Sequence, residues 1–195
     1  MVRTIISAVV GAIIVFVWGF IAWPILDLWG DEVRDMPGDG AMEAYITEQI
    51  PEDGAYYYPG MPDDLESEEM DAWTERHKAG PVGMLMIQKS GTDPMAPASM
   101  LGGLLISFLA AVLISGVLAY AGSLGSSYGG RVVIGIVFAL FAVASTFVMQ
   151  WNWFFWPGDY VKALSLDLLI GWILAVVVMA GIVGGARSEP IMTAD

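Results

Sequence analysis

Four apolar runs, each about as long as a bilayer is thick, constrain the fold of this chain more than any other feature. The first run, Thr4–Trp23, contains no charged residue. A helix of about twenty residues rises roughly 30 Å, which matches the hydrocarbon core of a bilayer. Similar runs cover Ser99–Tyr120, Val132–Gln150 and Leu164–Gly184. The pattern predicts an all-α membrane protein with four transmembrane helices and a polar insert between helices 1 and 2.

The ends of these runs divide the chain into segments. We predict transmembrane helices at 4–28, 98–121, 131–156 and 163–185, an acidic extracytoplasmic insert at 29–97, and a cytoplasmic tail at 186–195. A secretory signal peptide is the alternative for the first run. No small-residue cleavage site ends that run, however, and Trp18, Trp23 and Pro24 are typical of an interfacial anchor and a helix exit. We therefore expect an uncleaved first span.

The insert carries most of the charge of the chain. Residues 30–97 contain 16 acidic and 4 basic residues, whereas the whole chain has a formal net charge of −13. A surface this acidic repels phosphate backbones and anionic lipid, so we expect no nucleic-acid partner. A solvated face that resists aggregation is the favoured interpretation, and a cation-binding surface is the alternative.

The chain lacks cysteine and has a single histidine, His77. Without cysteine, the sequence excludes disulfides, thiolate catalysis, iron–sulfur clusters and cysteine zinc sites. His77 is a candidate for acid–base chemistry, but the sequence offers no nucleophile as its partner. The acidic run Asp63–Asp71 is a candidate calcium site, but it lacks the alternating pattern of a calcium-binding loop. We therefore expect no catalytic residue, no metal and no cofactor, and we predict that the protein is not an enzyme.

Local patterns predict a small α+β fold for the insert. The helices are predicted at Gly40–Gln49 and Asp63–Ala79, and the strands at Ala55–Tyr58 and Val82–Gln88. Asp39 is expected to cap the first helix, and Asp63 with Glu66 is expected to form a capping box on the second. The strands are expected to pair antiparallel. Because an isolated two-stranded sheet is marginal in water, we expect the insert to pack against the membrane domain.

A stripe of small residues recurs every four positions along the second predicted span. Its members are Gly103, Ser107, Ala111, Ser115 and Ala119. Small side chains let two helices approach closely in lipid, where packing and weak polar contacts drive association. We interpret this small-residue seam as a helix-packing surface, and a pore-lining face is the alternative.

Asp167 is the one acidic residue well inside a predicted span. A carboxylate in hydrocarbon costs several kcal/mol, so it should face the bundle or a cavity. Gln150 and Asn152 are candidate polar neighbours, together with Thr146 and Ser165. Asp167 is a candidate proton relay or cation site. The favoured interpretation is that it lies near the interface, hydrated or hydrogen-bonded to Trp151 or Asn152, because the spans offer no second acid or base for a relay.

Aromatic and basic residues indicate how the spans sit in the membrane. The stretch Trp151–Tyr160 is typical of an aromatic belt at the headgroup level, and a stacking platform for a ligand is the alternative. Arg3, Arg131 and Arg187 lie on the side of the termini, against Lys162 on the other side. Because cytoplasmic loops carry an excess of lysine and arginine, we predict cytoplasmic termini and an extracytoplasmic insert.

Six short motifs are spread over most of the chain. They are FVWG (Phe16–Gly19), PEDGAY (Pro51–Tyr56), Gly80-Pro81, YGGR (Tyr128–Arg131), Asn152-Trp153 and DLLIGW (Asp167–Trp172). With these motifs the chain resembles a family of small, uncharacterised four-span bacterial inner-membrane proteins with an extracytoplasmic insert after the first span. The resemblance implies a location in the bacterial envelope, and it carries over no catalytic residue.

The leading functional prediction is a non-enzymatic accessory or assembly subunit of the bacterial inner membrane. Its expected partners are the lipid bilayer and either another protein or a second copy of this chain, contacted through the insert and the small-residue seam. The alternative is a small oligomeric transporter or channel that uses Asp167. A membrane enzyme ranks third.

Overall fold

The computed structural model describes residues 1–28, 30, 32–64, 66 and 68–184. The elements within these ranges are α1 (Val2–Ala22), α2 (Asp39–Gln49), β1 (Gly54–Tyr58), α3 (Glu68–Ala79), β2 (Gly83–Ile87), α4 (Pro97–Ser123), α5 (Tyr128–Val143), a π-helical segment (Ala144–Val148), α6 (Met149–Phe154) and α7 (Gly158–Val183). The tail predicted at 186–195 lies outside the described residues.

Four helices are long and apolar enough to span a membrane. They are α1, α4, α7 and the continuous helix Tyr128–Phe154, which comprises α5, the π segment and α6. Large apolar side chains are exposed on all four, for example Val2 at 71% and Leu113 at 73%. An apolar outer surface of this extent is typical of a protein whose solvent is lipid. The prediction of four apolar helices that are long enough to span a membrane is confirmed.

The four helices form a bundle in which α1 contacts α4 and α7, and α5 contacts α7. Small residues dominate its interior, and the buried apolar cluster consists of Ala8, Ala12, Ala111, Leu118, Ala175, Met179, Ala180 and Val183. Gly135 of α5 meets Val176 of α7, and a Cβ at Gly135 would lie 2.6 Å from one γ carbon of that valine. The helices therefore approach too closely at this crossing for any larger residue.

Two helix ends differ from their predicted positions. Helix α1 ends at Ala22, well before the predicted limit at residue 28, because Pro24 cannot continue a helix. Helix α5 begins at Tyr128, and the Ser127 hydroxyl accepts a hydrogen bond from the Gly130 amide at 3.1 Å. Arg131, which was predicted to be the first residue of the third span, therefore lies at the end of its first turn.

The third span is not a uniform α-helix. The π segment Ala144–Val148 interrupts it, and a π turn adds one residue per turn and rotates the face that follows. At its start, the Ser145 hydroxyl donates to the carbonyls of Phe141 at 2.7 Å and Ala142 at 3.4 Å. A side chain that bonds back to the helix backbone in this way commonly accompanies a local distortion.

In the insert, the predicted sheet is confirmed. Strands β1 and β2 pair antiparallel, with Gly54 opposite Ile87 and Tyr58 opposite Gly83. Helix α2 ends as predicted, with Ile50 in an extended conformation before Pro51.

The predicted caps of both insert helices are wrong, and α3 begins later than predicted. Gly38 takes the N-cap position of α2 with φ 71°, so Asp39 lies inside the helix. Helix α3 begins at Glu68, and the Asp64 carboxylate accepts from the Glu66 amide at 3.0 Å. That Asx turn takes the place of the capping box predicted from Asp63, because aspartate competes well for backbone amides two residues on.

Candidate functional site

Asp167 lies on α7 and faces α1. The indole Nε1 of Trp18 donates to the Asp167 carboxylate at 2.7 Å and to its backbone carbonyl at 3.1 Å. The prediction that Trp151 or Asn152 hydrogen-bonds to Asp167 is therefore wrong, because the partner is Trp18 of the first span. Within the described part of the chain, Lys78–Glu75 and Lys162–Asp159 form ion pairs, and no lysine, arginine or histidine side chain pairs with Asp167.

Gly171, one turn after Asp167, makes room for Trp18. A Cβ at Gly171 would lie 2.8 Å from Cδ1 of the indole and 3.4 Å from Cγ, closer than side chains tolerate. The indole ring therefore occupies the space that a side chain at position 171 would fill, and its N–H reaches the Asp167 carboxylate. This contact joins two of the sequence motifs, FVWG and DLLIGW, which are about 150 residues apart in the chain.

A cleft of about 350 Å³ opens beside this pair, between α1, α7 and the π segment. Its aromatic lining consists of Trp18, Trp23, Phe147 and Trp172, and Asp167 is the one charged residue that lines it. We refer to these five residues as the aromatic cleft. A carboxylate surrounded by indole and phenyl rings combines a negative charge with electron-rich faces, and both attract cations.

The other polar residues predicted near Asp167 lie elsewhere. Neither Gln150 nor Asn152 lines the aromatic cleft. Thr146 is exposed, and the Ser165 hydroxyl donates to the Val161 carbonyl of its own helix at 2.6 Å. The structure therefore brings Asp167 together with aromatic residues rather than with a polar chain, and aromatic clustering across helices is not visible in sequence spacing.

The small-residue seam of α4 packs within the chain. Ala111 and Ser115 are fully buried, and the Ser115 hydroxyl donates to the Thr4 carbonyl of α1 at 2.8 Å. Gly103 faces the Phe16 ring, and the Ser107 hydroxyl donates back to the Gly103 carbonyl at 3.0 Å. Ala119 is half-buried beside the core. Helix α1 covers the central part of the seam, so a partner protein must be sought on another surface.

The insert contains a groove of about 580 Å³ between α2 and β2. Met36, Met42 and Ile46 line one side, and the consecutive residues Leu85–Lys89 line the other. Side chains alternate between the two faces of a strand, so a groove that touches consecutive residues follows the strand edge. Within the described residues, β2 pairs with β1 alone. We call this feature the insert groove.

His77 connects the insert to the bundle. Its Nε2 shares a hydrogen bond of 2.9 Å with the Tyr57 hydroxyl of β1, and its ring lies 5.0 Å from that of Trp73. On the other side, the Phe155 ring packs edge-on at 5.1 Å. Phe155 ends α6 with φ 55°, a left-handed conformation that turns the chain sharply. The single histidine therefore occupies an aromatic junction, at which one ring of the insert contacts one ring at the end of the third span.

Arg131 is a buried polar residue that sequence reasoning missed. It is 4% exposed, and its Nε and one terminal nitrogen each donate to the Ala180 carbonyl at 3.1 Å. The other terminal nitrogen donates to the Ser126 carbonyl at 2.6 Å. A cation at the last carbonyls of a helix is stabilised by the helix dipole. Arg131 thus caps α7. The sequence shows only an arginine at the boundary of a span, from which its contact with α7 could not be predicted.

No protein-family model, no curated protein and no solved structure matches this chain. The resemblance to a family of bacterial inner-membrane proteins therefore stays a prediction. Among the described residues, no group of three or more histidine, aspartate and glutamate side chains is arranged to hold a metal ion.

Proposed function

We propose that this protein is a non-enzymatic accessory subunit of the bacterial inner membrane, with cytoplasmic termini and an extracytoplasmic insert. Its insert binds an extended segment of a partner protein in the insert groove. The observation that carries the proposal is that β2, which lines that groove, pairs with β1 alone among the described residues. The four apolar helices then serve as the anchor that holds the groove at the membrane surface.

An open strand edge favours an extended partner. The free edge of β2 presents backbone donors and acceptors that an added strand can satisfy, as in many peptide-binding domains. Side chains of the added strand would alternate between the groove and solvent. Met36 and Met42 suit the groove side because methionine is flexible and polarizable and adapts to different apolar shapes. Met86 on β2 is 66% exposed, so the apolar surface is available.

Charge selects the chemistry of the partner. The insert has four times as many acidic as basic residues, and Glu43 lines the groove itself. Lys89 also lines it, but its ammonium group donates to the Thr47 carbonyl at 3.2 Å and the Ile50 carbonyl at 2.5 Å. Complementary charge steers encounter and rejects wrong partners. The favoured occupant is therefore an extended segment in which apolar residues alternate with lysine or arginine.

Site-specific photo-crosslinking in native membranes tests this proposal. A benzophenone amino acid replaces Met86 in the full-length protein. The matched control carries it at Met61, which is 53% exposed in the same insert but lies outside the groove. After irradiation, the attached peptide is identified by mass spectrometry. The proposal expects position 86, and not position 61, to capture a segment of another protein with apolar and basic residues alternating.

A charge inside the groove provides the second measurement. Met42→Lys is expected to lower the cross-linking yield at position 86 by about tenfold or more, since it replaces an apolar contact in the groove with a positive charge that repels a basic partner segment. Capture of a second copy of this chain at position 86 would assign the groove to self-association and overturn the proposal. Capture of lipid alone, or equal yields at positions 86 and 61, would also overturn it.

A further inference from the structure

The aromatic cleft has the features of a ligand site within the membrane domain. We propose that it binds an organic ammonium ion, with the Asp167 carboxylate as counter-ion and the indole and phenyl rings as walls. The ammonium group belongs either to a free amine solute or to the headgroup of an amine-containing lipid. This inference is independent of the insert groove, because the aromatic cleft lies between helices of the bundle.

The carboxylate supplies the first argument. In the described residues, the Trp18 indole is the one side chain that donates to Asp167, and no lysine, arginine or histidine forms an ion pair with it. An ionised carboxylate has about four acceptor sites, so a single N–H leaves most of them unused. A bound cation would satisfy them and remove the penalty of an isolated charge in a low-dielectric surrounding.

The surrounding rings define which cation fits. Trp18, Trp23, Phe147 and Trp172 present apolar, electron-rich surfaces to the cleft. Calcium and magnesium need six or more oxygen ligands, and one carboxylate does not provide them. Alkylated ammonium ions have the opposite preference, because aromatic faces attract them and water holds them weakly. The cleft volume of about 350 Å³ is at the lower end of the range for small organic ligands.

Two departures from regular packing build the cleft. Gly171 lets the Trp18 ring lie against α7, and the π segment carries Phe147 to the wall of the cleft. π segments within α-helices occur frequently at functional sites. The cleft follows α1 from Val15 to Trp23, and Trp23 lies just beyond the last residue of that helix. A ligand can therefore enter from the end of the bundle that bears the insert.

Calorimetric titration of the full-length protein tests the inference. The protein is reconstituted in nanodiscs of phosphatidylglycerol, which has no amine, and titrated with tetramethylammonium chloride against matched sodium chloride. Saturable binding is expected, and Asp167→Asn should weaken it about tenfold or more. The asparagine carbonyl still accepts from Trp18, so this variant keeps the helix contact. Asp159→Asn is the matched control, since Asp159 is exposed and paired with Lys162 at 2.6 Å.

Further arms separate the sources and guard against misfolding. Phe147→Leu leaves the Trp18–Asp167 bond in place and should weaken binding about twofold to fivefold through loss of one aromatic face. In nanodiscs of phosphatidylethanolamine, a lower apparent affinity for tetramethylammonium identifies a lipid headgroup as the occupant, and an unchanged affinity identifies a free amine. Absence of saturable binding in phosphatidylglycerol would overturn the inference. Equal losses in Asp167→Asn and Asp159→Asn would overturn it too.

Discussion

Trp18→Phe tests the contact between α1 and α7 most directly, because it removes the indole N–H and keeps an aromatic ring. In the native protein that N–H reaches two acceptors of Asp167, at 2.7 and 3.1 Å. After the substitution the carboxyl group has no side-chain donor among the described residues. Leaving a buried acceptor unsatisfied costs about 1–3 kcal/mol, whereas removing both partners of a bond is nearly neutral.

The magnitude follows from a double-mutant cycle with Asp167→Leu. Side-chain hydrogen bonds between membrane helices contribute about 0.6 kcal/mol on average and about 1.7 kcal/mol at most. The short distance and the second acceptor place this bond in the upper half of that range, so we expect a coupling of about 1–1.7 kcal/mol. Trp18→Phe should therefore destabilise the native protein clearly, and much less the Asp167→Leu protein.

The assay is reversible unfolding in mixed micelles of dodecyl maltoside and sodium dodecyl sulfate, followed by helical circular dichroism. The four proteins of the cycle are compared at the same lipid and detergent ratio, and the coupling is the departure of their unfolding free energies from additivity. Distant sites add within about 0.5 kcal/mol. A coupling below that value would refute the reasoning, and the α1–α7 contact would then depend on the fit of Trp18 against Gly171 alone.

Two further substitutions test other contacts. Gly135→Ala should destabilise the bundle by about 1–3 kcal/mol in the same unfolding assay, because the new methyl group overlaps a valine of α7; Gly116→Ala, whose Cβ meets no atom within 4 Å, should not destabilise it. Phe155→Leu should raise hydrogen exchange of α3 about twofold to tenfold, since it removes an edge-on contact to His77. Phe154→Leu is the control, and equal exchange in both variants would contradict the role given to the junction.

Much of the architecture follows from local sequence. The four spans are evident from the sequence because a run of about twenty uncharged, apolar residues is typical of a transmembrane helix. The two strands and their antiparallel pairing are equally local, because Gly54 and Pro59-Gly60 bound one aromatic strand and Gly80-Pro81 precedes the other. Helix starts in the insert were predicted less well, since several neighbouring aspartates compete for the same backbone amides.

The candidate site was harder to predict because its parts come from three different spans. Asp167 was recognisable alone, as an acid within an apolar run, but its partner Trp18 is 149 positions away. The π segment that carries Phe147 has one extra residue in a helical turn. The sequence Ala-Ser-Thr at its start has no pattern that distinguishes a π segment from an α-helix. Single-sequence periodicity identifies faces of helices, and it does not identify which faces meet.

The fully buried polar residues of the bundle differ from Asp167, and the difference favours a ligand at Asp167. Ser7, Ser115 and Arg131 are all donors, and each is satisfied by a carbonyl of a neighbouring helix or turn, at 3.3 Å from Ser7 and 2.8 Å from Ser115. These bonds lie near the start of α1 and the end of α7, and they hold helices together. Asp167 is an acceptor toward the other end with a single side-chain donor. Structural polar residues in lipid are expected to complete their hydrogen bonds within the protein. An acid that completes one bond and faces an aromatic cleft has capacity left for a cation from outside.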